Sequence, residues 1–109
     1  MGMVDVRDVA EAHLKAIKLD EAKNRRFMLV SRCAWRREMA ETLAAEFNSK
    51  GWNVNVAERT DDKPFGYEVD NTISREVLGI NYVPLEKSWV DMAQALIDSG
   101  YIQKPAGSE

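Results

Sequence analysis

The sequence predicts an α/β fold, with a small, mostly parallel sheet of two to three short strands packed with four helices. Apolar residues recur at spacings of three and four in four separate segments, which is typical of amphipathic helices. Residues 26–30 are continuously apolar after Arg26, and residues 52–56 alternate strictly, so both segments are predicted to be strands. A strand, a helix and a strand in this order indicate a parallel unit with a right-handed crossover.

The first predicted helix follows Asp5, a residue type that caps helix N-termini. The helix carries an apolar stripe that the spacing predicts to be buried: Val6, Val9, Ala10, Leu14 and Ile17. His13 falls on the same stripe. A histidine in such a position more often bonds a backbone carbonyl in the core than acts as a ligand or base.

The second predicted helix begins at Ser31 and ends before Gly51, which suits a left-handed C-terminal position. Large apolar side chains recur every four residues along it: Trp35, Met39, Leu43 and Phe47. Residues 58–66 contain charged residues, Pro64 and Gly66, and are predicted to form a surface loop. The adjacent carboxylates Asp61 and Asp62 fit a turn better than a metal site.

The last third of the chain is predicted to form two helices. The shorter covers Thr72–Leu78, with Asp70 or Asn71 as its cap. The longer begins at Pro84 and carries a stripe that the pattern predicts to be buried: Leu85, Trp89, Met92, Ala93, Leu96 and Ile97. We expect residues 1–102 to form one unit and residues 103–109 to be a frayed tail.

Two runs of the sequence resemble a known family. Residues 3–16 (MVDVRDVAEAHLKA) resemble the strand-to-helix segment that opens the substrate domain of extended short-chain dehydrogenase/reductases. Residues 69–79 and 84–91 resemble the C-terminal helices of this NAD-dependent epimerase/dehydratase family, especially its dihydroflavonol reductase and cinnamoyl-CoA reductase branch. The likeness covers nearly the whole chain but only about the last third of a family member. We therefore expect the N-terminal nucleotide-binding part to be absent.

The residues that such reductases need for cofactor binding and catalysis are missing from this sequence. NAD(P) is the cofactor that the resemblance implies for full-length relatives, and it requires a glycine-rich turn. No two of the six glycines are close enough to form one. The tyrosine with a lysine four residues later is also missing, since Tyr67, Tyr82 and Tyr101 are followed at that spacing by Asn71, Glu86 and Pro105. We expect no catalytic or cofactor-binding residues, no cofactor bound by the chain alone and no activity alone.

Composition restricts the possible partners. The net charge is −3, with 15 Lys and Arg against 18 Asp and Glu, which does not favour a nucleic-acid partner. The single cysteine, Cys33, excludes an internal disulfide and is predicted to be structural. No signal peptide or membrane-spanning stretch is evident, so the sequence predicts a cytoplasmic protein without membrane contact.

A substrate pocket in such a fold is expected at the carboxyl ends of the parallel strands. The resemblance places there Asp5, at the end of the opening segment, and Ser31 and Arg32, directly after residues 26–30. Trp35 follows one helical turn later. Arg32 could hold an anionic group through its guanidinium, or these residues could simply start a helix at the surface. No metal ligands are predicted.

Three functions remain open from the sequence. The chain could be an inactive piece of a reductase, or one half of a split enzyme that meets a missing nucleotide-binding chain. It could be a small interaction module, with a homodimer formed through the first helix as the expected assembly. It could also be a protein that has acquired an unrelated ligand-binding or catalytic site.

Overall fold

The computed structural model describes residues 1–56 and 69–104. Its elements, in chain order, are β1 (Gly2–Met3), α1 (Val6–Lys18), a 3-10 turn (Asp20–Ala22), β2 (Arg32–Cys33), α2 (Arg36–Phe47), a second 3-10 turn (Asn48–Lys50), α3 (Thr72–Val77) and α4 (Leu85–Asp98). The α/β class and the four helices are confirmed. The predicted loop at residues 58–66 lies outside the described residues, as do residues 105–109 of the predicted tail.

The described residues divide into two compact units. The first contains residues 1–33 and 69–85, and therefore β1, α1, β2 and α3. The second contains residues 34–56 and 86–104, and therefore α2 and nearly all of α4. That residues 1–102 form a single domain stays a prediction.

The sheet differs from the predicted parallel one. β1 and β2 pair antiparallel, with Gly2 opposite Cys33 and Met3 opposite Arg32. Neither residues 26–30 nor residues 52–56 are assigned as strands. A parallel ladder needs two strands that bond each other, and here the neighbour of β2 is the opening segment of the chain, which runs in the opposite direction.

Asparagine side chains bond the backbone of both segments that were predicted to be strands. In the first unit the Asn71 amide donates to the carbonyls of Val30, at 2.6 Å, and Ser31, at 3.3 Å. In the second unit Asn48 accepts from the Val54 N–H at 2.7 Å and donates to the Val54 carbonyl at 3.4 Å. An amide offers both a donor and an acceptor, so it replaces a strand neighbour at these points.

The helix boundaries follow the predicted signals with one exception. Asp5 caps α1, and its Oδ1 accepts from the Arg7 N–H at 2.8 Å. Gly51 takes the left-handed conformation with φ of 90°. The exception is α2, which begins at Arg36 with Trp35 as its N-cap rather than at Ser31. Ser31 lies outside the helix, and its N–H donates to the Met3 carbonyl at 2.8 Å.

The apolar stripe of α1 faces outward, against the prediction that it is buried. Val6 is 77% exposed and Ile17 84% exposed, whereas Asp8 is only 4% exposed. The reason is a pair of long-range hydrogen bonds on the opposite side of the helix. Asp8 Oδ2 accepts from the Val83 N–H at 2.8 Å, and Lys15 Nζ donates to the Gly79 carbonyl at 3.2 Å.

The core of the first unit is small. It is a buried cluster with partly buried apolar side chains packed around it: Ala12, Ala22, Leu78 and Ile80, with Leu19, Phe27, Leu29 and Tyr82. In the second unit Ala34, Phe47 and Trp89 are buried. The predicted stripe of α4 is buried at Leu85 and Trp89 but exposed at Met92 and Leu96. In the part of the chain that is described, no helix is long and apolar enough to cross a membrane.

Candidate functional site

Three of the four predicted substrate-binding residues lie at one end of the two-stranded sheet. Because the strands are antiparallel, the chain leaves β1 at Met3 beside the start of β2. Asp5 follows Met3 by two residues, and Arg32 pairs with Met3 directly. Ser31 is tied to the same residue by its backbone hydrogen bond. The antiparallel pairing thus places Asp5, Ser31 and Arg32 in one region of the first unit.

Asp5 has a structural role in this region. Its side chain is buried, and Oδ1 accepts from both the backbone N–H and Nε of Arg7 at 2.8 Å. Oδ2 accepts from Arg7 Nη2 at 2.6 Å. This fork of charge-assisted bonds is the geometry that arginine and carboxylate favour. The carboxylate therefore fixes the start of α1 and the orientation of Arg7.

Ser31 and Arg32 bond backbone groups and the side chain of Asn71. Arg32 is half-buried, and its Nη1 donates to the Cys33 carbonyl at 3.2 Å. The Ser31 carbonyl accepts from Asn71, whose Oδ1 accepts in turn from Arg75 Nε at 2.8 Å. Asn71 is the residue of this region that the sequence did not identify. It was considered only as a helix cap, because nothing in the sequence reports a contact across 40 residues.

Trp35 belongs to the second unit. Its backbone N–H donates to Glu38 Oε1 at 3.2 Å, and its carbonyl accepts from the Glu38 N–H at 3.0 Å. This reciprocal pair closes the first turn of α2. Trp35 therefore starts a helix, and its grouping with Asp5, Ser31 and Arg32 stays a prediction.

A groove of about 170 Å³ lies in the first unit, in a region that the sequence did not single out. It is lined by α1 and by apolar residues from two other segments: Ala12, His13, Ala16, Phe27, Leu29 and Leu78. His13 is exposed, contrary to the prediction, but its expected bond to a backbone carbonyl is present, with Nδ1 2.8 Å from the Val9 oxygen.

A carboxyl group with a lowered pKa lies at the N-terminus of α3. Hydrogen bonds from the Thr72 side chain and from its backbone N–H, the latter at 2.9 Å, lower the pKa of Asp70. Because these bonds favour the charged carboxylate, they stabilise the folded chain at pH values above the ordinary carboxyl pKa. That contribution is lost as the pH falls through the lowered value. Asn71 is the N-cap residue of α3, which is one of the two alternatives that the sequence offered, and Asp70 precedes it.

The glycines with positive φ in the described residues do not lie where a dinucleotide-binding turn has them. Gly51, Gly79 and Gly100 have positive φ, and each follows the end of a helix or 3-10 turn. Carbonyl oxygens are left unpaired at such ends, whereas a pyrophosphate needs the N–H groups of a helix N-terminus. Across residues 1–56 and 69–104, no group of three or more His, Cys, Asp or Glu side chains could hold a metal ion.

Comparison with known proteins shows what the chain is similar to. Over 96 residues, 87% of its length, it is 33% identical to the ketoreductase azaE of Aspergillus niger. Over 93 residues it is 30% identical to an uncharacterized oxidoreductase of Schizosaccharomyces pombe. No family profile matches the chain.

Solved structures agree with the sequence relatives. The yeast methylglyoxal/isovaleraldehyde reductase Gre2, complexed with NADPH, superposes on 93% of the chain with a TM-score of 0.80 and 25% identity. Gre2 of Candida albicans in its NADPH complex covers 91% with a TM-score of 0.78 and 31% identity. The chain resembles part of an NADPH-dependent reductase. The predicted resemblance to extended short-chain dehydrogenase/reductases is confirmed.

The chain spans only a minor share of these reductases. It covers 28% of the Aspergillus ketoreductase and 27% of the Schizosaccharomyces oxidoreductase. It covers 34% of the yeast Gre2 chain and 30% of that from Candida albicans. The NADPH bound in the two Gre2 structures supports an NAD(P) cofactor for the full-length relatives.

Proposed function

We propose that this chain is a substrate-domain-like part of an NAD(P)-dependent reductase, and that it has no reductase activity alone. The observation that carries the proposal is the uneven coverage. The first relative matches 87% of this chain, but the chain matches only 28% of that relative. The sequence also lacks a glycine-rich turn and a tyrosine with a lysine four residues later.

This proposal assigns substrate contact, and no step of hydride transfer, to the chain. A nicotinamide cofactor supplies the hydride in reductases of this kind, and we expect this chain not to bind it. Ser31 and Arg32 lie beside the end of β1, where the Arg32 guanidinium offers donors to an anionic or carbonyl oxygen. Asp5 holds the backbone of this region through its bonds to Arg7. A cytoplasmic setting is part of the same proposal, because the only cysteine favours a reducing compartment.

Cofactor titration tests the proposal. We expect isothermal titration of the purified chain with NADPH, NADP⁺ or NADH to give no measurable heat of specific binding, because the phosphate-binding turn is missing. Full-length Gre2 of Candida albicans, which binds NADPH in its solved structure, is the positive control. A dissociation constant near 1 μM, about −8 kcal/mol, would contradict the proposal.

A second candidate function is a homo-oligomeric interaction module. The observation that favours it is the outward apolar side of α1, where Val6, Leu14 and Ile17 are all exposed. A soluble monomer rarely leaves a contiguous apolar patch uncovered, and pairing about a two-fold axis is the commonest way to bury one.

We expect the chain on its own to form a dimer through this side of α1. Sedimentation equilibrium at tens of micromolar measures it, since the monomer mass is 12.4 kDa. Ile17→Lys should return the protein to a monomer with unchanged helical circular dichroism, because Ile17 has almost no contact within its own unit. Val9 is half-buried, so a charged substitution there would disturb the protomer as well. A single 12.4 kDa species for the unaltered chain would exclude the dimer.

A further inference from the structure

The side chain of Asn71 does not cap the helix that it begins. Asn71 is the N-cap residue of α3, where an asparagine normally accepts a hydrogen bond from the first turn. Within the described residues its side chain makes no such bond. The Asp70 carboxylate accepts from the Thr72 N–H instead, at 2.9 Å. The amide of Asn71 makes a different contact, 40 residues back along the chain.

This amide joins a group that only donates to groups that only accept. Its Oδ1 accepts from Arg75 Nε at 2.8 Å. Its Nδ2 donates to the carbonyls of Val30, at 2.6 Å, and Ser31, at 3.3 Å. A guanidinium has no acceptor and a carbonyl has no donor. Arg75 therefore fixes the orientation of the amide, and a carboxylate or an aliphatic side chain of the same size could not replace it.

The backbone of Asn71 is itself anchored on α3. Its carbonyl accepts from the Ser74 hydroxyl at 2.8 Å and from the Arg75 N–H at 3.1 Å. Ser74 is fully buried, and its Oγ also lies 2.7 Å from the Tyr82 hydroxyl. These contacts give the Asn71 side chain a fixed origin in the first unit.

The amide holds the peptide group that enters the candidate site. The carbonyl and the N–H of a planar trans peptide point in opposite directions. In the peptide between residues 30 and 31, the Val30 carbonyl accepts from Asn71, and the Ser31 N–H donates to the Met3 carbonyl at 2.8 Å. The end of β1 and the start of α3 therefore hold this peptide from two sides. The next carbonyl, that of Ser31, is bonded by the same amide.

We propose that Asn71 is a positioning residue, which sets the direction in which Ser31 and Arg32 meet a substrate. The inference rests on the proposed function, because that proposal assigns substrate contact to these two residues. A displacement of about 1 Å in a contact group can weaken catalysis about a hundred-fold. A hydrogen bond from a neighbouring element prevents such a displacement. Asn71 touches no reacting atom and acts through the backbone of residues 30 and 31.

Two variants of the full chain test the proposal. Asn71→Ser keeps a residue type that caps helices but is too short to reach the carbonyls, and Asn71→Leu fills a similar space without a donor. Neither changes the charge. We expect both to shift the amide NMR signals of Ser31 and Arg32, because the carbonyls of residues 30 and 31 lose their donor. The helical circular dichroism should not change, since Asn71 makes no side-chain capping bond within the described residues.

Pyruvate is the ligand probe, because it carries a carboxylate and a ketone, the two kinds of oxygen that the proposed function assigns to Arg32. We expect titration with pyruvate to move the amide signals of Ser31 and Arg32 in the unaltered chain. Both Asn71 variants should bind pyruvate at least five-fold more weakly.

The matched control is Asp70→Ala, which removes the neighbouring carboxylate that bonds the Thr72 N–H but leaves the bonds of Asn71 in place. It also removes a negative charge, which cannot weaken the binding of an anion. We expect this variant to bind pyruvate as the unaltered chain does. Equal weakening in the control would overturn the proposal, since a disturbed start of α3 would then be enough to explain the effect.

The two proposals fail separately. Cofactor binding by the chain alone would contradict the proposed function and leave the effect of Asn71 on pyruvate binding intact. Unchanged signals of Ser31 and Arg32 in both Asn71 variants, or unchanged pyruvate binding, would contradict the role of Asn71 while the absence of a cofactor site would stand. If pyruvate moves neither signal in the unaltered chain, the inference is also overturned, because Asn71 then positions no contact residue.

Discussion

Ile80→Ala is expected to lower the free energy of unfolding by about 2 to 5 kcal/mol. Ile80 is 1% exposed and belongs to the buried cluster of the first unit with Ala12, Ala22 and Leu78. Shortening it removes buried methylene groups and leaves a cavity that small alanine neighbours cannot fill. Urea unfolding followed by circular dichroism measures the change.

Ile73→Ala is the matched control, because it removes the same atoms from a side chain that is 53% exposed. We expect a change within about 0.5 kcal/mol. If the two variants lose similar stability, the cluster around Ile80 does not form the core of this unit.

Asp8→Ala is expected to cost about 1 to 3 kcal/mol. The variant removes the buried acceptor of the Val83 N–H and leaves that donor unpaired. It also removes a negative charge from the first turn of α1, where the helix dipole favours one. Thermal and urea unfolding at pH 7 measure the loss.

Asp8→Asn separates the hydrogen bond from the charge. The amide oxygen can still accept from Val83, so this variant should be less destabilised than Asp8→Ala. Equal losses in the two variants would show that the charge, rather than the bond between residues 8 and 83, stabilises the unit. If Asp8→Ala leaves the free energy of unfolding unchanged, the bond to Val83 does not fix the outward orientation of α1.

Local structure was predictable where it depends on near neighbours in the chain. Asp5 caps α1 through a bond to Arg7, two residues away. Gly51 and Gly100 follow helix ends with positive φ, as expected of residues without a Cβ. The resemblance to reductases was also evident from the sequence alone, since it rests on continuous runs of residues, 3–16, 69–79 and 84–91.

The grouping of three predicted site residues was anticipated from the sequence, whereas their roles stay predictions. Asp5, Ser31 and Arg32 were identified from the ends of predicted strands, and they do lie at one end of the sheet. The reason differs from the expected one, because the strands are antiparallel. Asn71 and the groove were missed, because both depend on segments that are far apart in the sequence.

The amino-acid sequence by itself determined that there are four helices in the described residues and that Asp5 caps the first of them. Only the tertiary structure decided which side of α1 is inside. Periodicity locates an apolar stripe but does not say what covers it, and here two bonds, from Asp8 to Val83 and from Lys15 to Gly79, hold the opposite side against the unit. A hydrogen bond between residues 75 positions apart has no signature in local spacing, so the outward stripe could be found only in the folded chain.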